Sequence, residues 1–469
     1  MTNFSRRNWM ATTATAAALA MTGRGAVGNT AGRTAPADSP HDNLSSILPF
    51  ARNVLDFGAR GDGRKDNTAA FQKALDTVHA AGGGIVHVPA GKYLFKGHLV
   101  MPSNTALVGE FVGPPGGFFG QAGAGTVFMP VEGRGKPDGP AFISVCGVNC
   151  SIRGLAIYYP EQPGEASEPS PYPWTIQNAG QPPTGEVMVG GDGSAGLSII
   201  DVNISNAYQG IDLTLARRHY IARVYGRPIL TGVYVDQCYD VSRIENVHFV
   251  WPFWSCGHAM AAWIQNHGTA FRFGRTDWQC VFNTFSFQYH IGYHFVQTPA
   301  GTCYGTFDGI SADSAQYSIV VEAAESFNGG LHITNGGFSS FTGKDPQGLV
   351  IGPKNAAPIC FTNCGFWGPA PNRIGTIQGT GPVSLVGCCF NNWNSKQHNK
   401  PIIICDGAPV TITGCQFMCH DKRKVIGITK RCRGAVITNN TCQGNTFVVM
   451  RPGPLPRTRF QIHSNIAVG

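Results

Sequence analysis

Apolar and polar residues alternate in one phrase that returns again and again along the C-terminal half of this chain. Ile359-Cys360-Phe361-Thr362-Asn363-Cys364-Gly365-Phe366 is followed by Val383–Phe390, by Val410–Phe417 and, with a variation, by Val436–Cys442. The last residues of these phrases lie 24, 27 and 25 positions apart. Upstream the phrase appears as Leu331–Phe338 and more loosely around Ala312, Phe287, Phe249, Ile204 and Ile157. Spacings of 28, 26 and 25 connect Phe366, Phe338, Ala312 and Phe287, while larger gaps of 38, 45 and 47 predict an extra turn or an inserted loop. A second short apolar stretch follows each phrase, as in Gly210–Leu213, Gly292–Phe295, Tyr317–Val321 and Gly348–Ile351.

Each repeat therefore predicts strand, turn, strand, turn, with no helical periodicity. A unit this short cannot bury its own apolar face. Stacked on copies of itself it forms a continuous core. Asn and Gly at fixed offsets suit corners that need positive φ. The period is too short for a β-propeller, whose blades need about 40 residues. The fold class predicted is all-β: a single-stranded right-handed parallel β-helix, or solenoid. Residues 68 to about 80 carry helical spacing at Ala70, Phe71, Ala74, Leu75 and Val78, with Asp66 and Asn67 as capping candidates. A short N-terminal capping helix meets a physical need, because the first coil has no neighbour.

The stretch from Asn53-Val54-Leu55-Asp56-Phe57-Gly58-Ala59 through Asp62-Gly63-Arg64-Lys65-Asp66-Asn67-Thr68 to Gly91-Lys92-Tyr93 resembles the opening signature of the pectate-lyase-like right-handed parallel β-helix superfamily. That superfamily includes polygalacturonases, rhamnogalacturonases and phage tailspikes. The resemblance implies the fold and a role with polysaccharides. Its members hydrolyse, eliminate or only bind glycans. Asp62 and Asp66 are read as turn and capping residues in this context. The paired-Asp, Gly-His-Gly and Arg-Ile-Lys motifs of polygalacturonases are absent, so no catalytic residue is carried over from that family.

Register supplies candidates instead. Side chains alternate along a strand and coils stack roughly 4.8 Å apart. The second strands align with Ile211, Leu213, Val233, Val235, Phe271, Phe273, Tyr293, Phe295, Ile319, Val321, Leu349 and Ile351 inward. The outward residues are then Asp212, Thr214, Tyr234, Asp236, Arg272, His294, Val320 and Glu322. We expect Asp212, Asp236, His294 and Glu322 to be catalytic and Tyr234 and Arg272 to bind substrate. Two carboxylates on adjacent coils, roughly 7 to 8 Å apart, suit a glycoside hydrolase acting on an acidic or pectin-like glycan, with one protonating the leaving oxygen and the other activating water. Arg272 would clasp a uronate carboxylate. The same patch admits a polysaccharide lyase, in which Arg272, His294 or Tyr234 removes the proton beside the uronate. No cofactor is required for hydrolysis, and calcium is expected only for a lyase. A non-catalytic glycan-binding spike is the alternative of another class, and a surface salt-bridge stripe the bland one. The segment from Phe249 to Asp277 interrupts the repeat with Trp251, Trp254 and Trp263, read as sugar-stacking rings or as a loop packed on itself. Cys256, His258 and His267 match no standard metal spacing. Two Pro/Gly-rich inserts, at about 111 to 140 and 160 to 193, are expected to form groove walls or subunit contacts.

Composition narrows the rest. Of 469 residues, 61 are Gly and only 13% are charged, with a formal net charge of +8. The basic excess fits an acidic polymer. No Lys/Arg run is dense enough to favour nucleic acid. Ser5-Arg6-Arg7-Asn8-Trp9-Met10 and the Ala-rich stretch to Met21 read as a twin-arginine leader. Residues 1–37 are accordingly expected to be signal peptide and linker, and 50–469 one β-helix domain, exported to the periplasm or beyond. The apolar run is too short for stable membrane insertion. The partner expected is a polysaccharide, and the chain a monomer or homotrimer. The fifteen Cys are read mainly as small buried residues stacked in a column, with a Cys146–Cys150 disulfide left open.

Overall fold

The computed structural model describes residues 51–468 apart from 116–124, 180–194, 327–328, 370–372, 394–400, 419–423, 444–446 and 455. The proposed leader therefore lies outside the described residues, as does Cys419.

The chain winds into a parallel β-helix. Among the described residues, every strand-to-strand pairing is parallel and joins a strand to its counterpart on a neighbouring coil. Parallel crossovers wind right-handed. Each coil has three strands, not the two expected. Ile359–Thr362, Gly365–Trp367 and Gly375–Ile377 form one coil. Val383–Val386, Cys389–Asn391 and Ile403–Cys405 form the next. What looked like one strand phrase is two strands meeting at a corner.

That corner is the reason for the correction. In register, the residues at this bend are Gly154, Asp201, Arg223, Asn246, Asn283, Gly309, Asn335, Asn363, Gly387, Gly414, Asn439 and Ser464. All twelve have φ between +48° and +68°. One left-handed residue turns an extended chain sharply and lets strands continue on both sides. Asn and Gly reach that region at least cost. The next residue locks the coils together. Cys364, Cys388 and Cys415 donate Sγ–H to the carbonyls of Ile333, Phe361 and Leu385 one coil earlier. Asn440 and Asn465 do the same to Ile412 and Ile437 at 2.9 Å each. The cysteine column is thus a ladder of buried thiols, and Cys146 and Cys150 are both free.

Inside, rings stack at the coil spacing: Phe366 on Phe390 at 5.2 Å and Phe390 on Phe417 at 4.8 Å. The predicted capping helix, α1 (Thr68–Ala80), closes the N-terminal end. Its Phe71 meets Tyr93, Phe95 and Phe128 edge-on at 4.9 to 5.3 Å. Asp62 Oδ1 accepts from the Arg64 and Lys65 amides, and Asp66 Oδ1 from the Thr68 amide and hydroxyl. Both are turn residues, as expected. The gap between Ile204 and Phe249 holds an extra coil through Tyr220–Gly226. The gap between Phe249 and Phe287 holds an inserted helix, α2 (His258–His267).

The corner makes a quantitative demand. Asn363→Ala puts a Cβ-restricted residue at φ +54° and is expected to cost about 1 kcal/mol. Asn363→Gly is expected to stay within about half that. Denaturation of the two variants checks this, and equal losses would remove the left-handed requirement.

Candidate functional site

The third face of the coil is a sheet of thirteen parallel strands among the described residues. Its inward residues from Ile211 to Ile351 follow the expected register, each no more than 1% exposed. Its outward column runs Gln177, Asp212, Tyr234, Arg272, His294, Val320, one residue per coil. Asp212, Tyr234, Arg272 and His294 therefore stand side by side on consecutive coils. Asp236 and Glu322 lie two positions further along their strands, three coils from each other, in a parallel column.

The carboxylates are more deeply held than expected. Asp212 is 5% exposed. Its Oδ2 accepts from Gln177 Nε2 at 2.8 Å, and its Oδ1 from the Thr214 amide at 2.9 Å and hydroxyl at 2.6 Å. Burial pushes its pKa up. The Thr214 and Gln177 hydrogen bonds oppose that, and nearby Asp236 adds to it. Asp236 is 6% exposed, and its Oδ1 accepts from the Arg275 amide at 2.7 Å and Thr298 Oγ1 at 3.0 Å. Both are partly spent as turn acceptors.

The middle of the column is freer. Tyr234 lies under the Arg272 guanidinium, 5.4 Å from ring centroid to cation, and stacks on Trp174 at 6.3 Å and 16°. Burial raises its phenol, and Asp236 raises it further. Arg272 is exposed. His294 Nε2 lies 3.6 Å from Glu322 Oε2. Burial, then the Arg272 charge, then His290 lower the imidazole to about 4. His294 is therefore a neutral imidazole near neutral pH, able to take a proton. Glu322 is exposed at the rim.

The aromatic insert is built differently from an open stacking loop. Met260 and Ile264, four apart on α2, are buried and seat the helix on the solenoid. Trp254 is 5% exposed and belongs to the core. Trp263 packs on Tyr208 at 6.2 Å and His267 at 4.6 Å. Trp251 opens a half-buried 3-10 turn, Trp251–Phe253. Packing against the core, rather than solvent exposure for a sugar ring, fixes Trp254 and Trp263.

Two groups were not foreseen. Gln177 was hidden because its strand, Trp174–Asn178, sits inside a Pro/Gly-rich insert. Arg217, Tyr239, Arg275 and Tyr304 form a cation–aromatic stack with 5.5 to 5.7 Å steps along the flank of the column. Arg217, Tyr239 and Arg275 sit between strands, where two-residue alternation says nothing, and Tyr304 sits at the start of Cys303–Asp308. Among the described residues no group of three or more His, Cys, Asp or Glu stands close enough to hold a metal. Calcium wants six to eight oxygens. The column offers instead two carboxylates engaged by Gln177, Thr214, Arg275 and Thr298, with a guanidinium next to them. This donor set does not fit calcium.

Parts of the chain are similar to known proteins. Residues 51–180 match the family described as rhamnogalacturonase A/epimerase, pectate lyase-like. Over 86% of its length the chain superposes on a mutant tailspike protein of E. coli bacteriophage HK620 in complex with a hexasaccharide, with a TM-score of 0.53 at 13% identity, covering 77% of that chain. The chain has a parallel β-helix fold, and its residues 51–180 are similar to a pectate-lyase-like family. Local similarity reaches further into named activities. A 68-residue segment is 50% identical to mannuronan C5-epimerase AlgE3 of Azotobacter vinelandii, covering 13% of this chain and 4% of that protein. A 68-residue match to alginate lyase 7 of the same organism is 46% identical and covers 13% and 8%. The chain spans less than a tenth of the length of these two curated relatives. In this β-helix the outward column runs through the middle coils of the stack, from Gln177 to Val320, with Asp236 and Glu322 beside it.

The buried acceptor role of Asp236 is testable apart from any reaction. Asp236→Ala orphans the Arg275 amide and Thr298 hydroxyl and is expected to cost about 1 to 3 kcal/mol. Asp236→Asn keeps an acceptor oxygen and is expected to cost less. Unfolding of the folded variants measures the difference.

Proposed function

We propose that this chain is an enzyme of acidic polysaccharides that removes the proton beside the carboxylate of a uronic-acid unit. The observation that carries the reading is the exposed Arg272 standing between Tyr234 and the neutral His294 on consecutive coils. Arg272 clasps the uronate carboxylate and draws off the charge that builds there as the neighbouring C–H ionises. His294 takes that proton as general base. Tyr234, a phenol that stays protonated, donates from the other side of Arg272. If its proton goes to the glycosidic oxygen as that bond breaks, the outcome is β-elimination and an unsaturated sugar. If it goes back to the same carbon from the opposite face, the outcome is epimerisation. The activities named for the relatives, an alginate lyase and a C5-epimerase, support both fates of one intermediate.

Hydrolysis by an Asp212–Asp236 pair is favoured less. Asp212 has both oxygens engaged and is 5% exposed, and Asp236 is 6% exposed with Oδ1 engaged. We assign Asp212 to hold the base of the column, through Gln177 and Thr214. The twin-arginine leader proposed for residues 1–37 would deliver the folded enzyme to where such polymers lie.

Purified protein incubated with polymannuronate and polygalacturonate in deuterated water decides among these readings. Ultraviolet absorbance of a conjugated uronate marks elimination, and deuterium at the carboxyl-bearing ring carbon without it marks epimerisation. New reducing ends with neither would overturn the proposal in favour of a hydrolase, and binding without product would leave a glycan-binding spike. His294→Asn is expected to cost about 100-fold to 10,000-fold in kcat, and Arg272→Lys mainly to raise KM. The base must be unprotonated, and its pKa is lowered to about 4. Activity should therefore hold as pH falls through the ordinary histidine range and drop only near 4. An acid limb near the usual 6.5 would exclude His294 as base.

A further inference from the structure

A second cleft lies on another face, at the left-handed corner and away from the Arg272 column. Its cavity is about 460 Å³, within the range of small-ligand pockets. The second strands of three successive coils place Tyr225, His248 and Phe285 outward in one column. The next coils in that column carry Ser311, Gly337 and Gly365. Three rings thus give way to a shelf of nearly bare backbone. Phe253, from the 3-10 turn, stands edge-on to Tyr225 at 5.8 Å and to His248 at 5.3 Å, and Phe285 is edge-on to His248 at 5.0 Å. Above the rings, the exposed corner residues Asn246 and Asn283 are joined by an Asn283 Nδ2 to Asn246 Oδ1 hydrogen bond of 2.7 Å. That bond uses one Asn283 amide proton and the Asn246 carbonyl, and both residues line the cleft. Pro114 forms the far wall.

We propose that this cleft is a second carbohydrate site, and that it takes a neutral sugar unit. Ring faces suit the C–H face of a pyranose, and amides suit its hydroxyls. No Lys, Arg, Asp or Glu is among the residues lining it. His248 is half-buried, and burial lowers its pKa, which keeps it uncharged. The nearest ions in the corner column, Asp201 and Arg223, pair bidentately at 2.6 and 2.7 Å. The cleft lining carries no cation to pair with a uronate carboxylate, in contrast to the Arg272 column. The chain would hold a polymer, or a glycan-bearing surface, by neutral units on one face while working on acidic units at the other.

Saturation-transfer NMR and calorimetric titration with cellotriose, mannotriose and maltotriose, beside trimannuronate, test this. At least one neutral trisaccharide is expected to bind. Phe285→Ala and Asn283→Gly are each expected to weaken it about fivefold or more. Gly suits the φ of +48° at Asn283, so the second variant removes the amide without straining the corner. Arg272→Ala is expected to leave neutral-sugar binding unchanged, whatever it does to turnover. Absence of binding by every neutral probe overturns the proposal. So does binding that survives both variants, binding lost with Arg272→Ala, or a cleft whose variants affect trimannuronate alone.

Discussion

A single left-handed residue per coil governs this molecule. Twelve stacked corners hold φ near +55°, and each starts the next strand from the same place as the one below. A coil that turned one residue early or late would flip its apolar residues outward. The corner thus sets register, and register sets everything that faces solvent. The ladder of Cys364, Cys388, Cys415, Asn440 and Asn465 works one residue further on. Each side chain bonds a carbonyl of the coil before, so the register is checked twice per turn.

Register is also how residues far apart in the chain become neighbours. Asp212 and His294 are separated by 82 positions and by three coils. The result is a line of unlike groups at fixed spacing, and position in that line decides chemistry. The ends are anchored: Asp212 is buried among donors, and His294 leans toward Glu322. Arg272 in the middle is a permanent cation at the surface. Its charge helps keep His294 neutral, so the group that would bind a carboxylate also prepares the base beside it. A lysine there would lack the planar fork that matches a carboxylate and also lies over Tyr234.

Much of this was legible from residue order. The period, the inward column and the four outward residues Asp212, Tyr234, Arg272 and His294 follow from alternation of side chains, which holds wherever a strand is regular. Three features escaped, each for a physical reason. The corner at Asn363 does not interrupt apolar patterning, because the nearest apolar residues on either side, Phe361 and Cys364, are both buried, so two strands read as one. The depth of Asp212 and Asp236 depends on donors from Gln177, Arg275 and Thr298, all distant in sequence, the first on a strand inside a Pro/Gly-rich insert and the other two outside strands. The Trp-rich insert was read for its rings, whereas Met260 and Ile264 decide where it sits.

The same ladder explains why two faces of one coil can differ so sharply in chemistry. On the third face an exposed cation is tolerated because the strand beneath it is closed by Phe271 and Phe273, both fully buried. At the corner, positive φ favours Asn and Gly at most coils, with the paired Asp201 and Arg223 an exception, and the strand after it presents Tyr225, His248 and Phe285. A conformational demand of the backbone has thus set the polarity of that surface: amides above, rings beside, charge absent from the lining. The proposed acidic-sugar site and the neutral cleft thus occupy different faces of the same coils, one presenting an exposed cation and the other lined by Asn, His and aromatic rings.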